Sequence, residues 1–336
     1  MTPKNFFYQK LRAIDQQTRY ETIQIYDDIV VVNFDTIFDR DYTLRGKDEL
    51  LYKLHEIGKD KKFLFISEDG ANLTLSGARE IIKEIVKEFK LTYETCAVVS
   101  REKLNLENVT ECLEESIPYW CHILYPAIKN INIPQGNFSK KFAVWFHRGT
   151  FYRLKVVRHL VENYATDSFI SYQEHGMICD RQFESMFQDD ITWANNNTPI
   201  VYDQLFPNRV YTHEMIVGAE RKPYNDYFME IVVETDVATT AWITEKTVKN
   251  LYIGKPFIVL CGHGVLETIR SFGFKTFSPW IDETYDTITN HSQRLQAILK
   301  EIDRLSTVDV NKLHQNLLPI LEHNRQTYET YINSRR

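Results

Sequence analysis

The residues whose types and spacing could do chemistry are concentrated between positions 227 and 264. An apolar run over 227–233 leads into Glu234, and Thr244-Glu245-Lys246 then begins a helical pattern. A carboxylate in the first turn of a helix is stabilised by the helix dipole and can accept hydrogen bonds from two ribose hydroxyls. Lysines three residues apart share one helix face and can bind a diphosphate. The residues that we expect to bind a nucleotide here are Glu234, Thr244, Glu245, Lys246 and Lys249.

A glycine turn follows the next apolar run. Gly262-His263-Gly264 comes after a strand pattern over 256–260 and directly before another helical pattern. Backbone N–H groups at such a turn, together with the positive end of the following helix, suit a phosphate. We therefore expect Gly262, His263 and Gly264 to take part in donor binding. The simpler interpretation is that the glycines only turn the chain and that Glu245 and Lys249 form an exposed ion pair four residues apart.

Two arginines lie at another junction between a strand and a helix. Arg148 and Arg153 follow a strand pattern over 142–146, and Arg153 falls within a helical pattern over 151–164. Guanidinium groups can neutralise the charge that develops on a leaving nucleoside diphosphate. We assign both arginines to donor binding and Arg148 also to catalysis, with a basic, solvated helix start as the alternative.

A transfer to a hydroxyl acceptor needs a base, which a carboxylate near the end of a strand can supply. Glu68 and Asp69 follow the strand pattern over 62–67, and Asp35 ends the first strand pattern. All three carboxylates are candidates for the catalytic base, and we assign the role to Glu68 and Asp69. Asp39 and Asp41 form an Asp-x-Asp triplet of the kind that holds a divalent metal, but such triplets arise by chance in acidic chains, and we predict no metal site.

Strand and helix patterns alternate along most of the chain, which predicts an α/β fold. In the second half they include strands over 168–172 and 275–277 and helices near 181–187 and over 245–253. The near-continuous apolar runs suit buried parallel strands. Residues 124–140 bring two Pro, three Asn and one Gly after the periodic segments, and we place a domain joint there. We predict two Rossmann-like lobes and a helical tail that packs back toward the first lobe: an acceptor lobe over 1–138, a donor lobe over 139–310 and a final helix over 311–336.

Three short motifs carry a resemblance to a known family: Thr244 to Lys246, Gly254 to Phe257 and Gly273 to Phe277. Over about residues 140 to 305, the chain resembles the donor-binding half of GT-B glycosyltransferases, most closely the fucosyltransferase family. It is also similar to uncharacterised phage or viral proteins that share these motifs. The resemblance implies a two-lobed GT-B fold in which Glu245 holds the ribose, and Lys246 the phosphate, of a nucleotide sugar.

The composition and net charge of the chain exclude several classes of protein. The 336 residues are 43% apolar and 26% charged with a net charge of −6, which excludes disordered and collagen-like classes and a surface that is basic throughout. Five scattered cysteines without a Cys-x-x-Cys spacing favour a reducing compartment, and we expect a cytoplasmic protein with no membrane span.

The function that we expect is transfer of a sugar from a nucleoside diphosphate donor to a glycan or another hydroxyl acceptor, with inversion and without a metal or other cofactor. Two alternatives stay open. One is a phage-type transferase that glycosylates modified bases of DNA, and the other is a protein that binds a nucleotide or sugar without catalysis.

Overall fold

A computed structural model describes twelve stretches of the chain. They are residues 23–26, 28–33, 47–58, 60–66, 78–100, 106–113, 116–146, 149–172, 188–200, 223–234, 237 and 243–334. The chain divides into two compact units, Met1–Glu115 and Ser116–Arg336. Both have parallel strands with helices, so the predicted α/β class is confirmed.

Among its described residues, the first unit has a five-stranded sheet whose order, β1-β2-β3-β4-β5, follows the chain. Its first pair of strands is antiparallel and the others are parallel. Val30, Phe63 and Cys96 lie side by side in the register, and the helices cover this row with residues such as Leu54 and Ile82. The elements are β1 Ile23–Tyr26, β2 Ile29–Asn33, α1 Lys47–Ile57, β3 Lys62–Ile66, α2 Ala78–Glu88, β4 Cys96–Ser100 and β5 Thr110–Leu113.

The second unit contains a four-stranded sheet, and all of its strands are parallel. Its helices are α3 Ser116–Ile128, α4 Phe151–Tyr164, α5 Gln188–Asn197, α6 Glu245–Ile253, α7 Val265–Ser271, α8 His291–Ser306 and α9 Val310–Ser334. Its strands are β6 Lys140–Phe146, β7 Ser168–Tyr172, β8 Tyr227–Val233 and β9 Phe257–Leu260. The predicted bounds of α4, β7, β8 and α6 agree with the structure to the residue.

Helices cover both faces of the second sheet. Glu230 of β8 contacts Lys249 of α6, and α6 packs in turn on α3 and α9. Phe142 of β6 lies beside Met229 in the register and so points to the opposite face, where its ring meets Tyr164 of α4. Burial on both faces explains why β8 is apolar along nearly its whole length.

The boundary between the units differs from the predicted joint near residue 138. Helix α3 precedes that joint, yet it packs on α6 and α9 of the second unit. The Tyr328 hydroxyl near the end of α9 donates to the Cys121 carbonyl, and His314 of α9 bonds the Pro134 carbonyl at 2.8 Å. The final helix thus packs on residues that we had assigned to the first lobe, as predicted, but those residues belong to the second unit.

One predicted strand is wrong. Residues 275–277 are not a strand. The reason is that the side chain of Asn324 in α9 accepts from the Lys275 backbone N–H at 2.8 Å and donates to the Lys275 carbonyl at 2.9 Å. Helix α5 was not predicted, and the helix that we expected near 181–187 lies outside the described residues. Among the helices that the structure describes, none is long and apolar enough to cross a membrane.

Gly254 ends α6 in the left-handed conformation, with φ of 70°, and a Cβ there would lie 2.7 Å from Cγ2 of Ile133. We expect Gly254→Ala to lower the free energy of unfolding by about 1–2 kcal/mol, because the left-handed backbone becomes strained and Ile133 must move. Gly273→Ala is the matched control, since φ is 82° and its Cβ would meet Thr327 at an ordinary 3.7 Å. Equal losses in chemical denaturation would show that the contact with Ile133 is unimportant.

Candidate functional site

The strand order of the second unit, β7-β6-β8-β9, reverses between β6 and β8. From β6 the chain moves outward to β7 on one side, and β8 and β9 are added on the other side. In open parallel sheets, ligands bind in the crevice outside the carboxyl ends of the strands at such a reversal. The ends of β6 and β8 lead toward α4 and α6, whose first turns contain the predicted site residues Arg153 and Glu245.

Glu234 follows β8 and is fully buried. Its carboxylate accepts hydrogen bonds from the Thr244 backbone N–H at 3.0 Å, the Thr244 hydroxyl at 2.6 Å and the Thr247 hydroxyl at 2.7 Å. These contacts hold the first turn of α6 against the end of β8. Glu234 therefore positions the start of α6 through these hydrogen bonds, and it does not face a ligand as we predicted.

Thr244, Glu245 and Lys246 meet at the start of α6. Thr244 is the N-cap, and its hydroxyl accepts from the Lys246 backbone N–H at 3.3 Å and from the Lys246 ammonium at 3.1 Å. The Lys246 ammonium also donates to the Glu245 carboxylate at 2.8 Å. The Glu245 side chain is 12% exposed and that of Lys246 is 25% exposed, so both are within reach of a ligand.

The pKa of Glu245 reflects these neighbours. Burial raises the pKa, but the charge of Lys246 and the hydrogen bond from its ammonium together outweigh burial, so that the pKa falls to about 2. The backbone N–H of Glu245 and the Thr244 hydroxyl add to the lowering. Glu245 is consequently an anion at neutral pH, as a group that accepts ribose hydroxyls must be.

This lowered pKa predicts how stability depends on pH. Because the pKa of Glu245 is lower in the folded chain than its unfolded value of about 4.3, its contribution is present above that value and is lost as the pH falls toward 2. We expect the stability advantage of the wild type over Glu245→Gln to shrink by roughly 1.5 kcal/mol between about pH 6 and pH 3. A difference in unfolding free energy that stays constant over this range would contradict the lowered pKa.

Lys249 does not lie at this site. Its side chain is 2% exposed and its ammonium donates to the Glu230 carboxylate in the middle of β8. Helix α6 is buried from Thr247 to Ile253, so Lys249 has no solvent face from which to reach a diphosphate. The exposed pair of Glu245 with Lys249 is absent as well, because each of these side chains has a different partner.

Arg153 lies at the strand ends but is turned toward the backbone. It is 3% exposed, and its Nε and one terminal nitrogen donate to the Val233 carbonyl at 3.1 and 3.0 Å. Its guanidinium lies 5.5 Å from the ring centre of Phe146. Arg153 thereby joins the start of α4 to the ends of β6 and β8, at the reversal of the strand order. Burial raises the pKa of the neighbouring Tyr172 to about 12, although the charge of Arg153 opposes this.

The Gly262-His263-Gly264 turn does not offer a free helix start. Asp286 is 4% exposed, its carboxylate accepts from the Leu266 N–H at 3.1 Å, and its carbonyl accepts from the Gly264 N–H at 2.9 Å. Burial raises the pKa of Asp286, and the backbone N–H groups at the start of α7 lower it in part. A carboxylate of the chain itself thus occupies the place at which we predicted a phosphate, while His263 is exposed.

Arg294 is a buried residue of this region that we did not predict. It is 1% exposed and donates to the Val237 carbonyl at 2.5 Å and to the Ile288 carbonyl. Burial lowers the pKa of Arg294, and the charge of Asp286 raises it in part. No local pattern marks Arg294 as a site residue, because its partner Val237 lies 57 residues away in the sequence.

Several predicted residues lie outside the described residues. These are the candidate bases Glu68, Asp69 and Asp35, the leaving-group arginine Arg148, and the triplet residues Asp39 and Asp41. Within the described stretches, no three His, Cys, Asp or Glu side chains are grouped so that they could hold a metal ion.

No family model, curated protein or solved structure matches this chain significantly. The chemistry of the site must therefore be inferred from its own residues. At the reversal of the parallel sheet, the buried carboxylate of Glu234 after β8 holds the first turn of α6, which presents the Glu245 carboxylate and the Lys246 ammonium. Such an arrangement can accept two hydroxyls and bind one anion.

Proposed function

We propose that the protein is a glycosyltransferase that moves a sugar from a nucleoside diphosphate donor to a glycan or another hydroxyl acceptor. The observation that carries this proposal is the position of Glu245 and Lys246 together at the start of α6, beside the reversal in the strand order. An acid that accepts ribose hydroxyls and an adjacent ammonium that binds a phosphate are the contacts that a nucleotide sugar requires.

The proposal includes a GT-B arrangement in which the second unit binds the donor and the first supplies the acceptor side. In support, each unit has its own sheet with parallel strands and its own hydrophobic core. Arg148 would neutralise the leaving diphosphate, and Glu68 or Asp69 would remove the acceptor proton, in a single inverting displacement. No metal ion is needed for these roles.

The test is a thermal-shift screen of the full chain with UDP, GDP, CMP and ADP sugars, followed by an assay for hydrolysis of the donor that binds. A bound nucleotide raises the unfolding temperature by mass action. We expect one nucleotide class to stabilise the protein and its sugar to be released slowly in the presence of EDTA. Stabilisation by none of the four would overturn the proposal.

These measurements and a gel shift with DNA separate the alternatives. Stabilisation without any hydrolysis or transfer would indicate a protein that only binds the nucleotide or sugar. A gel shift with duplex DNA that weakens with salt would indicate a DNA acceptor, because phosphate contacts release counterions.

A further inference from the structure

We propose that Glu245 is a specificity-determining residue that makes this site bind nucleoside diphosphates in preference to diphosphates without a ribose. The inference rests on the proposed function and deepens it. Glu245 would act in two opposite ways, because it attracts the ribose and competes with the diphosphate.

The competition follows from the contacts of the Lys246 ammonium. It lies 2.8 Å from the Glu245 carboxylate, 3.1 Å from the Thr244 hydroxyl and 3.8 Å from the Glu234 carboxylate. Two of the three N–H donors of the ammonium are used by Glu245 and Thr244, and Glu234 lies within ion-pair distance. A phosphate oxygen that approaches Lys246 therefore competes with the Glu245 carboxylate for the charge of the ammonium.

The local charge opposes a diphosphate as well. Two carboxylates, those of Glu234 and Glu245, face one ammonium at the start of α6, which leaves this cluster with a net negative charge. Lys249 adds nothing here, because its charge is matched by Glu230 in the core. A free diphosphate would thus bring more negative charge to a cluster that is already negative.

A ribose removes this obstacle. Its two hydroxyls can donate to the Glu245 carboxylate and replace the ammonium as hydrogen-bonding partners, which frees Lys246 for the phosphates. The ribose and the diphosphate thereby assist each other, since each weakens the bond between Glu245 and Lys246 that competes with the other. The lowered pKa of Glu245 keeps the carboxylate ionised at neutral pH, so the competition operates under ordinary assay conditions.

The test measures inorganic pyrophosphate binding by titration calorimetry in the wild type, in Glu245→Gln and in Glu245→Ala. We expect both variants to bind pyrophosphate about five- to tenfold more tightly than the wild type, because Lys246 loses its competing anion. We expect the nucleoside diphosphate selected in the thermal-shift screen to bind the variants more weakly than the wild type. The affinity for the nucleoside diphosphate divided by the affinity for pyrophosphate should therefore be lower in both variants than in the wild type.

Glu80→Gln is the matched control. Glu80 bonds Lys83 at 2.8 Å in the first turn of α2, which is the same distance as in the pair at α6, but it lies in the first unit. We expect this change to leave the binding of pyrophosphate and of the nucleotide as in the wild type. An equal gain in pyrophosphate binding in Glu80→Gln would show a general effect of net charge and overturn the inference.

The outcomes separate this inference from the proposed function. If the wild type binds a nucleoside diphosphate but the Glu245 variants bind pyrophosphate no more tightly, the role of Glu245 in specificity is wrong and the function stands. Failure to detect pyrophosphate binding in any of the proteins has the same meaning. If the wild type binds none of UDP, GDP, CDP and ADP, both proposals are overturned.

Discussion

Lys249→Met is expected to lower the free energy of unfolding of the second unit by about 3–5 kcal/mol, while the protein that remains folded binds nucleotide as well as the wild type. The reason is that Glu230 is 3% exposed and would keep its charge in the core without the ammonium that compensates it. The Tyr227 hydroxyl, at 3.3 Å, would be its remaining partner among the bonds that the structure describes.

The double variant Glu230→Gln with Lys249→Met tests the cause. Because it removes both charges, we expect it to recover most of the lost stability. Lys83→Met is the control, since the pair of Lys83 with Glu80 is exposed and its loss should leave stability nearly unchanged. Chemical denaturation followed by tryptophan fluorescence measures all three. Normal stability with lost nucleotide binding in Lys249→Met would instead restore the donor-binding role that the sequence predicts.

Lys246→Ala is expected to weaken donor binding by about ten- to a hundredfold, because a charge-assisted contact with the diphosphate contributes roughly 1.5–3 kcal/mol. Glu245→Ala should weaken it by about tenfold, since the loss of the ribose contacts is partly offset by the release of Lys246. The measurement is titration calorimetry with the nucleotide sugar that the thermal-shift screen selects.

Lys83→Ala serves as the control for this second prediction, because it removes a lysine that also bonds the acid in the first turn of its helix. It should leave the affinity for the donor unchanged. Wild-type affinity in both Lys246→Ala and Glu245→Ala, with folding verified by circular dichroism, would refute the site.

The sequence by itself determined the class of the fold and the positions of most elements in the second unit. Burial of a parallel sheet on both faces favours a near-continuous apolar run, and Tyr227–Val233 is such a run, interrupted only by Glu230. Thr244 and Gly254 mark the two ends of α6 through their capping chemistry, which depends on neighbours only a few residues away. For the same local reason, the sequence placed Glu245 and Lys246 in the first turn of that helix.

Only the tertiary structure decided which of these polar groups a ligand can reach. The three-residue spacing of Lys246 and Lys249 predicts that they share one helix face. In the structure, however, β8 places Glu230 against Lys249, while Lys246 lies beside Glu245. The acid at the start of α7, Asp286, lies 20 residues beyond its partner Leu266 in the chain. The physical reason is that caps and periodicity act through neighbouring residues, whereas the partner of a buried charge is chosen by packing between distant segments.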